Sequence, residues 1–266
     1  NLPITAMVRN LARMTANGLI KPLSVATKMI SDRLADTDGI KRSRLHPIAV
    51  LAALKTYEAG HGARGRLEWE PVRAIIDALD GAFYAAFGNV VPTGKRIVIA
   101  LDVSGSMDSG EGAGVPGLTP RIACAAMAVV TARSEPNHVI IAFSDQMVRL
   151  TISSRQRMDA VVRALYALDF GGTDCALPML WAAEKGIEAD AFVVFTDSET
   201  WYGDIHPVQA LGKYRRTFGI PAKLVVVGAV ANEFSIADPN DGGMMDVVGF
   251  DTATPQIISD FVGSSA

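Results

Sequence analysis

The sequence predicts an α/β fold, a doubly wound, Rossmann-like domain preceded by an all-α helical segment. Three observations carry this expectation. Residues 1–87 repeat their apolar positions at helical spacing, with no strand-like alternation. At Pro92-Thr93-Gly94 the pattern changes, and a continuous apolar run begins at Ile97, as in strands buried on both faces. Similar runs then alternate with helical stretches, the order expected of a mostly parallel sheet covered by helices. The expected domains are residues 1–90 and 91–266.

Four helices are expected in the first part. Ile4–Ala16 places Met7, Leu11 and Met14 on one face. A second helix is expected over 22–35, opening at a proline that suits a helix start. The third, 46–59, follows a basic stretch read as a turn (Lys41, Arg42, Arg44) and ends at Gly60. The fourth, 71–87, is closed by Gly88-Asn89. Antiparallel helical pairs of this length build HEAT-like solenoids or rings, and a plain helical bundle fits them as well.

In the second part, strands are expected over 97–101, His138–Phe143, 191–195 and 224–227. A short antiparallel edge strand, 147–152, is expected to follow a hairpin through Ser144 to Gln146. Helices are expected over 120–133, 155–168, 175–185, Pro207–Phe218 and 254–262.

Charge divides along the same line. Residues 1–96 hold 14 Lys and Arg against 8 Asp and Glu, whereas residues 97–266 hold 11 against 20. The asymmetry suits an anionic partner for the first part and a cation for the second, although a Lys/Arg-rich helical face also serves solubility alone. No run of 18 apolar residues and no signal peptide is visible, so no membrane partner is expected. Asn1 in place of methionine points to a piece of a longer protein. Two cysteines, Cys124 and Cys175, are too few for a disulfide framework and are expected reduced and buried, in a cytoplasmic protein.

Chemistry concentrates in three loops. Asp102-Val103-Ser104-Gly105-Ser106 follows the first buried strand, Gly171-Gly172-Thr173-Asp174 leads into a helix, and Thr196-Asp197-Ser198 closes the strand over 191–195. Loops after parallel strands line the crevice where α/β ligands bind. Together, in this order and strand context, they resemble the metal-ion-dependent adhesion site of von Willebrand factor A domains. The resemblance implies that Ser104, Ser106 and Thr173 bind one divalent ion directly through their hydroxyls. Asp102 and Asp197 then hold coordinated waters, or one of them enters the coordination shell. Magnesium is the expected ion, a hard cation taking six oxygens at roughly 2.0–2.1 Å, with manganese or calcium as alternatives. Neutral direct ligands leave the ion electrophilic, so a partner protein's carboxylate can complete the shell.

Catalysis is not expected. A phosphoryl-transfer aspartate usually has a second acid two positions on and a positioned lysine, whereas here Ser104 stands there and no lysine lies near the motifs. Carboxylates are too few for a two-metal hydrolase with ions about 4 Å apart. The four histidines (His46, His61, His138, His206) form no ligand or triad pair.

Motifs across nearly the whole chain resemble the Ro autoantigen, or TROVE-domain, family. They include residues 2–11, Leu45-His46-Pro47, Gly60-His61-Gly62 with Arg64-Gly65, Pro92–Arg96, Ala142-Phe143-Ser144-Asp145, Gly171–Cys175 and Ile236-Ala237-Asp238-Pro239. The resemblance implies the end of a ring of HEAT-like repeats beside a von Willebrand factor A domain. It implies, too, a ribonucleoprotein component that binds noncoding RNA, Y RNA-like or misfolded, in RNA quality control. The candidate RNA contacts are Lys41, Arg42, Arg44, Arg64 and Arg66, for each of which a solvated surface charge is the competing reading. His61 is expected as a satisfied interhelical histidine. The other functional reading is a metal-dependent protein-interaction module without an RNA role.

Overall fold

The computed structural model describes residues 2–62, 65–108, 115–153, 155–168, 171–197, 203–228, 236–248 and 253–264. The chain divides into two compact units. One comprises residues 1–91 with 114–118, and the other 92–113 with 119–266.

The first unit is helical. Helix α1 (Ile4–Ala16) buries Met7, Val8 and Leu11. Helix α2 (Val25–Ala35) starts three residues later than the proline suggests, because Leu23 adopts a left-handed φ of 61° and Ser24 caps the first turn. A helix absent from the sequence reading follows, α3 (Thr37–Ser43), so Lys41 and Arg42 are helical rather than in a turn. The Asp36 side chain caps it by accepting from the Gly39 amide at 3.0 Å. Gly39 itself lies against Asp36 and Ile4, where a Cβ would come within 2.6 Å of the Asp36 carboxylate. Helix α4 (Pro47–Ala59) begins at His46, whose Nδ1 accepts from the Ile48 amide at 3.2 Å, and ends at Gly60 with φ 74°. Helix α5 (Arg73–Ala85) runs into a 3-10 turn, Ala86–Asn89. Tyr57 ties the unit together: its buried hydroxyl lies 2.8 Å from Thr15 Oγ1 and accepts from the Val72 amide at 3.3 Å.

Among the described residues the second unit has a six-stranded sheet. Its strands are β1 (Ile97–Asp102), β2 (His138–Phe143), β3 (Met147–Leu150), β4 (Ala191–Thr196), β5 (Lys223–Gly228) and β6 (Met244–Val248). The order is β3-β2-β1-β4-β5-β6, parallel except for the β3 edge hairpin. Every residue of β1, β4 and β5 is buried, which is why each appears as an unbroken apolar run. Strand β6 was not foreseen; as an edge strand alternating between buried and exposed, Met-Met-Asp-Val-Val has no such run. The helices are α6 (Pro120–Ser134), α7 (Met158–Tyr166), α8 (Leu177–Glu184), α9 (Pro207–Phe218) and α10 (Thr254–Gly263). Helices α7 and α8 are shorter at both ends than expected.

Two devices fix the ends of this unit. Buried Glu135 accepts from the amides of Thr93 and Gly94 at 2.7 and 3.3 Å, pinning the approach to β1. Buried Lys223 donates to the carbonyls of Phe261 and Ser264, closing the carboxyl end of α10 with a positive charge. The chain leaves β1 toward β2 on one side and later returns as β4 on the other. The carboxyl end of β1 is therefore the switch point of the sheet, the place where such folds bind ligands.

Candidate metal centre

Asp102 ends β1 at that switch point and is fully buried. One carboxylate oxygen accepts from the Ser104 amide at 2.8 Å, a local turn of the Asx type. The other accepts from the Thr196 hydroxyl at 2.8 Å. Burial pushes the Asp102 carboxyl up to about 6, against the hydrogen bonds from Ser104 and Thr196 that favour its charge, and the nearby Asp197 adds to the rise. The loop then folds into a 3-10 turn, Gly105–Asp108, anchored by the buried Met107. This turn brings the hydroxyls of Ser104 and Ser106 to 3.0 Å of one another.

The second loop is held from below. The Asp174 amide donates to the Ser144 carbonyl at 2.9 Å, and one Asp174 carboxylate oxygen accepts from the Ala176 amide at 2.9 Å. Thr173 and Asp174 are both buried, and burial raises the Asp174 carboxyl above its ordinary value. The Cys175 thiol contacts the Thr196 hydroxyl at 3.9 Å, beneath Asp102. Both cysteines are buried and unbonded to each other, and burial pushes both thiols well up, so neither is a thiolate nucleophile. The third loop contributes Asp197, buried one residue beyond β4.

Of the five predicted residues, Asp102 ends β1, Ser104 and Ser106 follow it, Asp197 follows β4, and Thr173 stands in the loop leading into α8. Oxygens around an octahedral magnesium-sized ion stand about 3.0 Å apart along each edge. The Ser104–Ser106 separation matches such an edge, and hydroxyl and carboxylate oxygens are the donors a hard cation selects. The residues present could therefore hold a divalent ion.

Two residues act on the loop in ways the motifs do not reveal. Thr196 stands beside Asp197 in the third motif, and its hydroxyl orients Asp102. Arg121, in the first turn of α6, is 4% exposed, and its guanidinium reaches Asp108 and the carbonyls of Val103 and Ser104. The available signal was an arginine in the first turn of α6, ahead of the small and aliphatic run Ile122–Val130.

The candidate RNA contacts are less concentrated. Lys41 and Arg42 occupy the last turn of α3, and Arg44 is its left-handed C-cap at φ 52°. All three are exposed, and Arg42 pairs with Asp36 at 3.5 Å. Arg66 is exposed on a separate connector, and Arg64 lies outside the described residues. That connector lines an open cavity of about 650 Å³ through His61, Glu68, Trp69 and Glu70. Its two carboxylates make it a poor seat for phosphate. His61 is exposed, with its backbone paired opposite Glu68 as an isolated antiparallel bridge, rather than sitting satisfied between helices as expected.

Comparison with known proteins follows the same division. The Ro60 vWA domain family matches residues 96–262, and the TROVE domain family matches residues 1–58. RNA-binding protein RO60 of Deinococcus radiodurans is 46% identical over 259 residues, covering 97% of this chain and 49% of the relative. RNA-binding protein RO60 of Caenorhabditis elegans is 44% identical over 263 residues, covering 98% of this chain and 40% of the relative. The crystal structure of the D. radiodurans RO (RSR) protein superposes with a TM-score of 0.92 at 45% identity, over 97% of this chain and 52% of that one. The chain thus spans about half the length of the relatives it matches, or somewhat less.

Proposed function

The chain belongs to the Ro60 family, with a Ro60-type von Willebrand factor A domain behind a TROVE segment, and on that premise we propose that it is part of an RNA-binding ribonucleoprotein component carrying a metal-dependent protein-docking site. The RNA is a noncoding RNA, Y RNA-like or misfolded, and the role is quality control. The RNA half of the reading is supported by two relatives at 46% and 44% identity that are RNA-binding proteins, and by the excess of Lys and Arg in residues 1–96. No helix among the described residues is long and apolar enough to cross a membrane.

The docking half rests on one observation, the Ser104 and Ser106 hydroxyls 3.0 Å apart in one hydrogen bond, on the turn that leaves the buried Asp102. Magnesium held there supplies a coordination position that a partner's Asp or Glu can fill. Ser104, Ser106 and Thr173 bind through neutral oxygens, so most of the ion's charge remains for the partner. Asp102 and Asp197 supply the negative charge that keeps the ion in place and orient its waters. A site that binds rather than turns over fits relatives that are RNA-binding proteins.

The test separates the two halves. In the longer protein, Ser104→Ala with Ser106→Ala should abolish magnesium-dependent capture of a carboxylate-bearing partner while RNA retention in a gel shift stays unchanged. Loss of RNA binding in this double variant, or partner capture that survives it, would overturn the division of labour. The second reading, a docking module with no RNA role in this chain, is favoured by the acidic cavity on the connector that carries Arg66. It predicts no gel shift with this chain alone.

A further inference from the structure

We propose that Arg121 is a positioning residue for the metal loop, a buried fork that holds Ser104 and Ser106 in ion-binding geometry; this rests on the metal-centre reading above. Arg121 lies in the first turn of α6, yet it points back to the loop 13 to 18 residues earlier. Its Nη2 donates to the Val103 carbonyl at 3.2 Å and the Ser104 carbonyl at 3.1 Å. Nε and Nη2 together hold Asp108 bidentately, at 2.5 and 2.9 Å. The Tyr166 ring covers the guanidinium at 5.0 Å from its centroid.

Each contact falls where the loop needs fixing. Asp102 is already held by Thr196 and by the Ser104 amide. Without Arg121, the carbonyl side of Val103 and Ser104 and the end of the 3-10 turn at Asp108 would lose these charge-assisted bonds. The two serine hydroxyls lie between these anchors, so their 3.0 Å separation depends on both. A buried guanidinium is costly to desolvate, and an aliphatic side chain would satisfy α6 more cheaply. The planar fork is what an aliphatic residue or a lysine cannot reproduce.

A competing effect has the opposite sign. Arg121 places positive charge near a cation site, and repulsion alone would weaken metal binding. Asp108 neutralises that charge through a bidentate pair, so the positioning effect should dominate. The two effects also differ in salt dependence, since repulsion is screened and loop geometry is not.

The experiment measures Mn²⁺ affinity of this chain from the free-ion electron paramagnetic resonance signal, at 0.1 M and at about 0.5 M KCl. Arg121→Met and Arg121→Lys should each weaken binding about tenfold or more, by the same factor at both salts. Unchanged or tighter binding in Arg121→Met overturns the proposal. So does wild-type affinity in Arg121→Lys, which would assign the effect to charge. Should both variants melt before measurement, Asp108→Asn, at an exposed carboxylate, gives the decision: a loss of about threefold that persists at high salt supports the clamp, and a loss abolished by salt overturns it. Absence of Mn²⁺ binding by the wild-type chain would instead sink the metal-centre reading itself.

Discussion

The Thr196 hydroxyl donates to the Asp102 carboxylate at 2.8 Å, joining two fully buried residues 94 positions apart at the ends of neighbouring strands. The bond orients one carboxylate oxygen while the Ser104 amide holds the other. A buried hydrogen bond to a charged group contributes about 1.5–3 kcal/mol. Thr196→Val keeps the shape and removes the donor. We expect a loss of stability of about 2 kcal/mol in urea unfolding and a fall of roughly tenfold in Mn²⁺ affinity by calorimetry. Wild-type affinity in this variant would show that Asp102 needs no such hold.

His46 gives a pH dependence with a definite sign. As the N-cap of α4 its Nδ1 must be unprotonated to accept from Ile48, and burial pushes its pKa down to about 4. The folded value lies below the unfolded one near 6.5, so the contribution is full above pH 6.5 and is lost as pH falls toward 4. Asp102, pushed up to about 6, works in the opposite direction over part of the same range. His46→Asn keeps a capping acceptor and removes the titration. The stability drop between pH 7 and pH 5 should therefore be smaller in the variant by about 1 kcal/mol, after discounting for partial exposure. Equal drops in urea midpoint would contradict this.

Gly39→Ala tests the α3 cap. Alanine gains about 1 kcal/mol of helix propensity over glycine. Its Cβ, however, meets the Asp36 carboxylate at 2.6 Å and Ile4 Cδ1 at 3.2 Å, displacing the cap. Losing the cap and crowding Ile4 costs about 2 kcal/mol, so the net result is destabilisation by about 1 kcal/mol. A more stable Gly39→Ala protein in thermal melts would mean that Asp36 yields freely.

The basic end of α3 is testable through salt. Each single-stranded phosphate neutralised adds about 0.7 to the slope of log affinity against log salt. Replacing Lys41, Arg42 and Arg44 together with Gln should flatten that slope by about two in filter binding to single-stranded RNA, if all three meet phosphates. An unchanged slope would assign the contacts to other residues.

How far the sequence was readable depended on what surrounds each element. Ile97–Asp102 and Ala191–Thr196 are covered on both faces, and their unbroken apolar runs announced them. Strand β6 is a half-exposed edge, and α3 hides a glycine in a seven-residue polar stretch, so neither has a periodic signature. The site shows the same contrast. Asp102, Ser104, Ser106, Thr173 and Asp197 stand in short motifs whose spacing is local. Thr196 and Arg121 act through partners on other elements, which local spacing does not reveal. The basic stretch at 41–44 misled because its charges suggested a turn, whereas Asp36 supplies the cap that makes it helical.

Strand β1 is made before its neighbours but lies inside the sheet, with β2 on one flank and β4 on the other. A ribosome must therefore deliver residue 196 before Asp102 gains its hydroxyl partner and loses its water. Until then the aspartate is an ordinary hydrated acid on an unfinished sheet. Asp102 and both serines precede residue 196 in the chain, so the loop after β1 acquires its orienting hydroxyl only once β4 has been made and has paired beside it.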